Sequence, residues 1–197
     1  MRALTLLLAL MAAPMLAALP AHAIPVPLST TLSGANEVPP VVSPGTGQVL
    51  ASLDAAANTL FLNVTFSGLL ANTSAAHIHC CAPLGTNAAV ATTVPAFPGF
   101  PLGVTAGSYS QTLDLTSVGS YNPQFITNNG GTVASAEAVL IAGILAGNSY
   151  LNIHTTLNPG GEIRGQLRVP EPASLLLLAS ALLGFGTAAA WRKRTRR

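Results

Sequence analysis

A chain of 197 residues has room for one domain of ordinary size, and its texture is lopsided: half the residues are hydrophobic, 5% aromatic and 7% charged. The formal net charge of +2 comes from the two ends, because between residues 24 and 168 only Arg164 and Arg168 stand against Glu37, Asp54, Asp114, Glu137 and Glu162, a net −3. With no basic face to neutralise phosphates, that body is excluded as a nucleic-acid binder.

Residues 1–23 read as a signal peptide. Arg2 supplies the positive start, an apolar Leu/Ala-rich run follows, and Ala21-His22-Ala23 fits the small-x-small pattern cut by signal peptidase. Cleavage there makes Ile24 the mature N-terminus and places the body outside the cytoplasm, where disulfides persist.

Residues 24–168 have the texture of a β-domain. Leu60, Leu62, Val64 and Phe66 alternate with Phe61, Asn63, Thr65 and Ser67, the period of a half-buried strand. Shorter candidate strands are 27–33, 47–53, 75–79, 109–115, 150–155 and 162–168, bounded by Gly, Pro, Asn and Asp. Seven short strands at such spacing suggest a sandwich or a barrel. Two helices interrupt them: one from Pro123 with Asn122 as its cap, ending at Gly130-Gly131, and one over 136–146 capped by Ser135. Residues 82–107 carry four prolines and four glycines and leave directly from a His/Cys cluster, as a functional cover or a packed surface loop does.

The side chains able to bind a transition metal or move a proton near neutral pH are few. Of four histidines, His22 lies in the signal peptide; the others fall in Ala76-His77-Ile78-His79-Cys80-Cys81 and Leu151-Asn152-Ile153-His154. On a strand, His77 and His79 point to one face and Ile78 to the other. Asn152 and His154 likewise share a face opposite Leu151 and Ile153. Were the two strands neighbours, three imidazoles would converge, a donor set that suits copper or zinc. The competing role is hydrogen bonding to backbone or loops at a sheet edge. Cys80 and Cys81 allow three states: a vicinal disulfide, two thiolate ligands, or two free thiols. Glu162 and Arg164, at i and i+2 in a body almost empty of charge, are expected to be structural, tying the last strand to a loop.

The C-terminal segment 169–197 is a separate device. Val169-Pro170-Glu171-Pro172 precedes a charge-free run over 173–191, and five of the last six residues, 192–197, are basic. At about 1.5 Å per residue such a helix spans close to the roughly 30 Å of a bilayer core. The basic tail would stay cytoplasmic and hold the body outside.

Several blocks carry resemblances. Leu32-Ser33-Gly34-Ala35-Asn36-Glu37-Val38-Pro39-Pro40, Gly45-Thr46-Gly47, Ala76-His77-Ile78-His79 and Asn152-Ile153-His154-Thr155 through Asn158-Pro159-Gly160-Gly161-Glu162-Ile163-Arg164 resemble the CHRD domain. The likeness implies an all-β, immunoglobulin-like or superoxide-dismutase-like antiparallel sandwich, and little about activity. The His-x-His pair is also similar to the copper ligands of copper/zinc superoxide dismutase, but the body lacks the further histidines of a zinc site or bridge. The C-terminal segment resembles the PEP-CTERM sorting signal of Gram-negative bacteria. That implies recognition of Glu171 and its flanking prolines by the membrane protease exosortase. It also implies anchoring in the inner membrane with the body in the periplasm, then processing to the cell surface or extracellular matrix.

No Ser-His-Asp order, nucleotide loop or metalloprotease helix is present, so the expectation is a protein without enzymatic activity. The favoured function is a non-catalytic binding or structural module, met by exopolysaccharide or surface proteins. The alternative is a copper- or zinc-binding protein, redox-active in its strongest form, using His77, His79 and His154.

Overall fold

The computed structural model describes residues 24–170. The segment expected to be a signal peptide, Glu171, Pro172, the apolar run and the basic tail lie outside the described residues. Among those described, no helix is long and apolar enough to cross a membrane.

The body is antiparallel β with two short helices. In chain order the strands are β1 (Val26–Ser33), β2 (Thr46–Asp54), β3 (Thr59–Ser67), β4 (Thr73–Cys80), β5 (Ala89–Val90) and β6 (Gly107–Asp114). Helices α1 (Pro123–Asn128) and α2 (Val133–Leu145) follow, then β7 (Ser149–Thr155) and β8 (Ile163–Gln166). Hydrogen bonds join all eight strands into one curled sheet of order β5-β4-β7-β8-β1-β2-β3-β6. The sheet nonetheless falls into two four-stranded halves. Between β8 and β1 the strand ladder is a single pair, Ser33 with Arg164, supplemented by an isolated bridge from Ser29 to Arg168. Both halves contribute to one core, with Leu28, Leu32, Val49, Leu62 and Val64 from one side and Ile78, Leu151, Ile153 and Ile163 from the other.

Local chemistry explains the helices. The Asn122 side chain accepts from the Gln124 amide and Pro123 occupies the first turn, so α1 starts where its unpaired amides are met or absent. For α2 the cap is Thr132 rather than Ser135. The Thr132 hydroxyl accepts from the Ser135 amide while the Ser135 side chain returns to the Thr132 backbone, a reciprocal pair that moves the start to Val133.

The long segment after Cys81 divides in function. Its first part, through Asn87 and Ala88, stands beside the histidines. Its second part carries Phe97 and Phe100 into the core, where their rings meet Tyr109 and Phe66 at centroid distances of 5.6 and 5.5 Å. Aromatic burial holds that stretch as packed structure.

Candidate metal centre

β4 and β7 are antiparallel neighbours, with His77 opposite Asn152, His79 opposite Tyr150 and Ala75 opposite His154. Side chains alternate across a strand, so Ala76, Ile78, Leu151 and Ile153 fill the core while His77, His79, Tyr150, Asn152 and His154 share the other face. On that face the ring centroids of His77 and His154 lie 4.5 Å apart, those of His77 and His79 4.8 Å, and those of His79 and His154 5.8 Å. One nitrogen from each of the three lies within 4.8 Å of the others. Ligands bound at about 2.0–2.1 Å to one ion stand about 3.3–3.6 Å apart, so closure needs side-chain movement on the order of 1 Å.

All three imidazoles are buried, and two are already oriented. His79 Nδ1 lies 2.8 Å from the Ala88 carbonyl and His154 Nδ1 lies 3.0 Å from the Pro159 carbonyl. A ring nitrogen facing a carbonyl must carry the hydrogen, which leaves Nε2 with its lone pair, and neither Nε2 has a partner. This is how proteins fix the tautomer of a ligating histidine. His77 Nδ1 is also buried and unpartnered. Burial, then the neighbouring imidazoles, lowers His77 to about 3. Burial lowers His79 to about 4 against the pull of the Ala88 carbonyl, and burial lowers His154 as well. All three are neutral at pH 7, the form that binds metal.

The wall around them was not visible as a site in the sequence. Tyr150 stacks on His79 with ring centroids 4.7 Å apart and planes 6° from parallel, and the Arg164 guanidinium lies 4.5 Å from the centre of the Tyr150 ring. Arg164 donates to the Asn36 carbonyl at 2.6 Å and to Asn87 Oδ1 at 2.7 Å, and its Nε lies 3.9 Å from Glu37 Oε2. The amide of Ala88 donates to the Tyr150 hydroxyl. Arg164 therefore pins two of the loops that frame the histidines, and the carbonyl that orients His79 belongs to one of them. Burial pushes Glu37 up to about 7, although the Arg164 charge and the Asn152 amide pull it back. Gly161 is required here: a Cβ on it would stand 2.7 Å from both Asn152 Oδ1 and Glu37 Oε1. Tyr150 and Asn152 were recoverable from phase alone, being at i−4 and i−2 from His154.

Glu162 and Arg164 are both buried but do not pair with each other. Glu162 accepts from Ser43 Oγ, the Leu70 amide and Thr155 Oγ1, each at 2.7 Å, and from Asn158 at 3.4 Å. Burial alone raises its pKa, and these hydrogen bonds outweigh it and hold the carboxyl below the usual range. It ties β7 to the loops after β1 and β3, while Arg164 ties β8 to the loops after β1 and β4.

The cysteines stand apart from the imidazoles. Cys80 has the core phase of Ile78, and a disulfide joins it to Cys81. Both sulfurs press on Gly143 of α2, where a Cβ would collide with them. The structure thus brings the three histidines together and leaves the two sulfurs on the opposite face, so the thiolate-ligand alternative has no geometry to support it.

The described residues form a curled antiparallel β-domain with one polar, histidine-bearing face, and a segment of different composition follows it. Comparison with known families matches residues 28–167 to the CHRD domain and residues 168–197 to the PEP-CTERM protein-sorting motif. The chain belongs to the CHRD domain family, and its C-terminal motif implies recognition by exosortase, export and sorting to the cell surface. No curated protein and no solved structure matches the chain.

Proposed function

We propose that this exported module holds one copper or zinc ion between His77, His79 and His154, and that the ion builds the surface of a non-catalytic binding or structural domain. The observation that carries this reading is the pair of buried, unpartnered Nε2 atoms whose Nδ1 positions are committed to carbonyls. A polar atom buried without a partner costs on the order of 1–3 kcal/mol, and two such atoms in one three-histidine cluster are what an ion would satisfy. The two half-sheets are read as the leaves of an immunoglobulin-like or superoxide-dismutase-like sandwich still joined at one seam. The apolar run anchors the precursor in the inner membrane with the body in the periplasm. Exosortase then cuts near Glu171, and the body passes to the surface or matrix to meet exopolysaccharide or other surface proteins. Elemental analysis of the full-length chain, purified in mild detergent, tests the metal: about one ion per chain, lost in His79→Ala, is the expected result. An absence of any histidine-dependent ion overturns it.

A further inference from the structure

The histidine site offers an ion three donors and no net negative charge. Its ligand atoms are neutral imidazole nitrogens, and the cluster includes no carboxylate or thiolate. Both sulfurs are tied to each other on the far face of β4. The carboxyl in the wall, Glu37, lies 3.9 Å from Arg164 Nε, so the pair adds no net negative charge. The guanidinium stacks on Tyr150, which stacks on His79, so the nearest formal charge along that column is positive.

The cost of taking an ion out of water grows with the square of its charge, so a divalent ion in this cavity costs four times as much as a monovalent one. Divalent zinc on three protein ligands normally recovers part of that cost by keeping a water or hydroxide in a fourth position. Here the three rings are only 5, 8 and 6% exposed, so a fourth, hydrated position would be cut off from bulk water. A closed-shell monovalent ion that accepts three nitrogen donors fits these walls better.

We infer that the site takes copper as Cu(I), held by His77, His79 and His154, in preference to Cu(II) or Zn(II). The inference rests on the metal reading above and adds the ion's charge to it. One neighbouring residue gives a way to test that preference. Asn152 sits opposite His77 in the ladder, is buried, and has an unpartnered Oδ1. Replacing it by the isosteric aspartate puts a second carboxyl beside Glu37, and once both are ionised it adds a negative charge near the ion while leaving all three imidazoles in place, so the comparison is made at pH 8 or above.

The experiment uses the full-length, metal-free chain in detergent. Cu(I) is delivered anaerobically from bicinchoninate with ascorbate as reductant, and Cu(II) and Zn(II) are titrated against chromophoric chelators. Cu(I) should bind one per chain, at least about 100-fold tighter than Zn(II), and should be lost in His154→Gln. Asn152→Asp, which retains every ligand and so does not depend on a histidine variant folding, should move the ratio toward the divalent ions by about 10-fold or more. Equal or tighter binding of Zn(II) or Cu(II), or an unmoved ratio in Asn152→Asp, sinks the charge assignment and leaves a metal site standing. No ion whose binding needs the histidines sinks both.

Discussion

β3 and β7 belong to one sheet and are buried in different ways. β3 alternates strictly, with Leu60, Leu62, Val64 and Phe66 inside and Phe61, Asn63 and Thr65 in water. β7 is buried at every position from Ser149 to Thr155. Antiparallel strands with one solvated face normally look like β3. Burial of both faces without a covering helix on the second requires loops to do the covering, and what they cover on β7 and β4 is Tyr150, Asn152 and three histidines. Polar residues on a buried face are costly, so their presence marks the half of the sheet where the fold is organised around a site rather than around packing.

Breaking the braces of the buried half should have the largest effect on stability. Glu162→Ala leaves the Leu70 amide and the Ser43 and Thr155 hydroxyls without their acceptor, and Arg164→Ala releases Asn36, Asn87 and the Tyr150 face. Each is expected to cost about 3–5 kcal/mol in chemical denaturation. A loss below about 1 kcal/mol for Arg164→Ala would return it to the class of solvated surface charges.

Acidification sharpens the same contrast. In the folded, metal-free protein His77 and His79 titrate near 3 and 4 and His154 is also lowered, against 6.5 when unfolded. The unfolded chain therefore takes up protons that the folded chain refuses, and stability present above pH 6.5 is lost as pH falls toward 4. Glu37, raised from 4.5 to about 7, acts in the opposite sense over the same window. His77 and His79 against Glu37 give a net loss of roughly 1–2 kcal/mol between pH 7 and 5, at up to about 1.4 kcal/mol per pH unit for each group, and His154 adds to the loss in the same sense. A flat profile would mean that the imidazoles charge freely in the fold.

The smallest effect belongs to the alternating half. Asn63→Thr on the solvated face of β3 should change stability by less than about 0.5 kcal/mol at either pH. A larger change would show that this face, too, is covered.

Much of this architecture can be read from alternation. The period of 2 identifies β3 and sorts His77, His79, Asn152 and His154 onto the side opposite Ile78, Leu151 and Ile153. Asn122-Pro123 announces α1 because capping is local chemistry. Thr132 was missed as the cap of α2 because two hydroxyls three residues apart can each play that part, and only the reciprocal bond decides. The two-residue β5 was too short to show a period. The rest is nonlocal. Nothing in the order of residues says that Ala88 and Pro159 carbonyls will meet His79 and His154, or that Glu37 and Arg164 will face each other across more than half the chain. Nor could spacing choose among the three states of Cys80 and Cys81, since adjacency permits all of them.

The position of β8 has a mechanical meaning. It is the last strand among the described residues, yet it lies inside the sheet between β7 and β1 rather than at an edge. Tension arriving through the C-terminal segment is delivered to a strand gripped from both sides, which must be sheared out instead of peeled away. The two grips are unequal: four residue pairs hold β8 to β7 and one holds it to β1. The seam toward β1 is thus the compliant side. A domain pulled from this end would yield between its halves first and keep β4, β7 and β8, with the histidines of β4 and β7, as one unit.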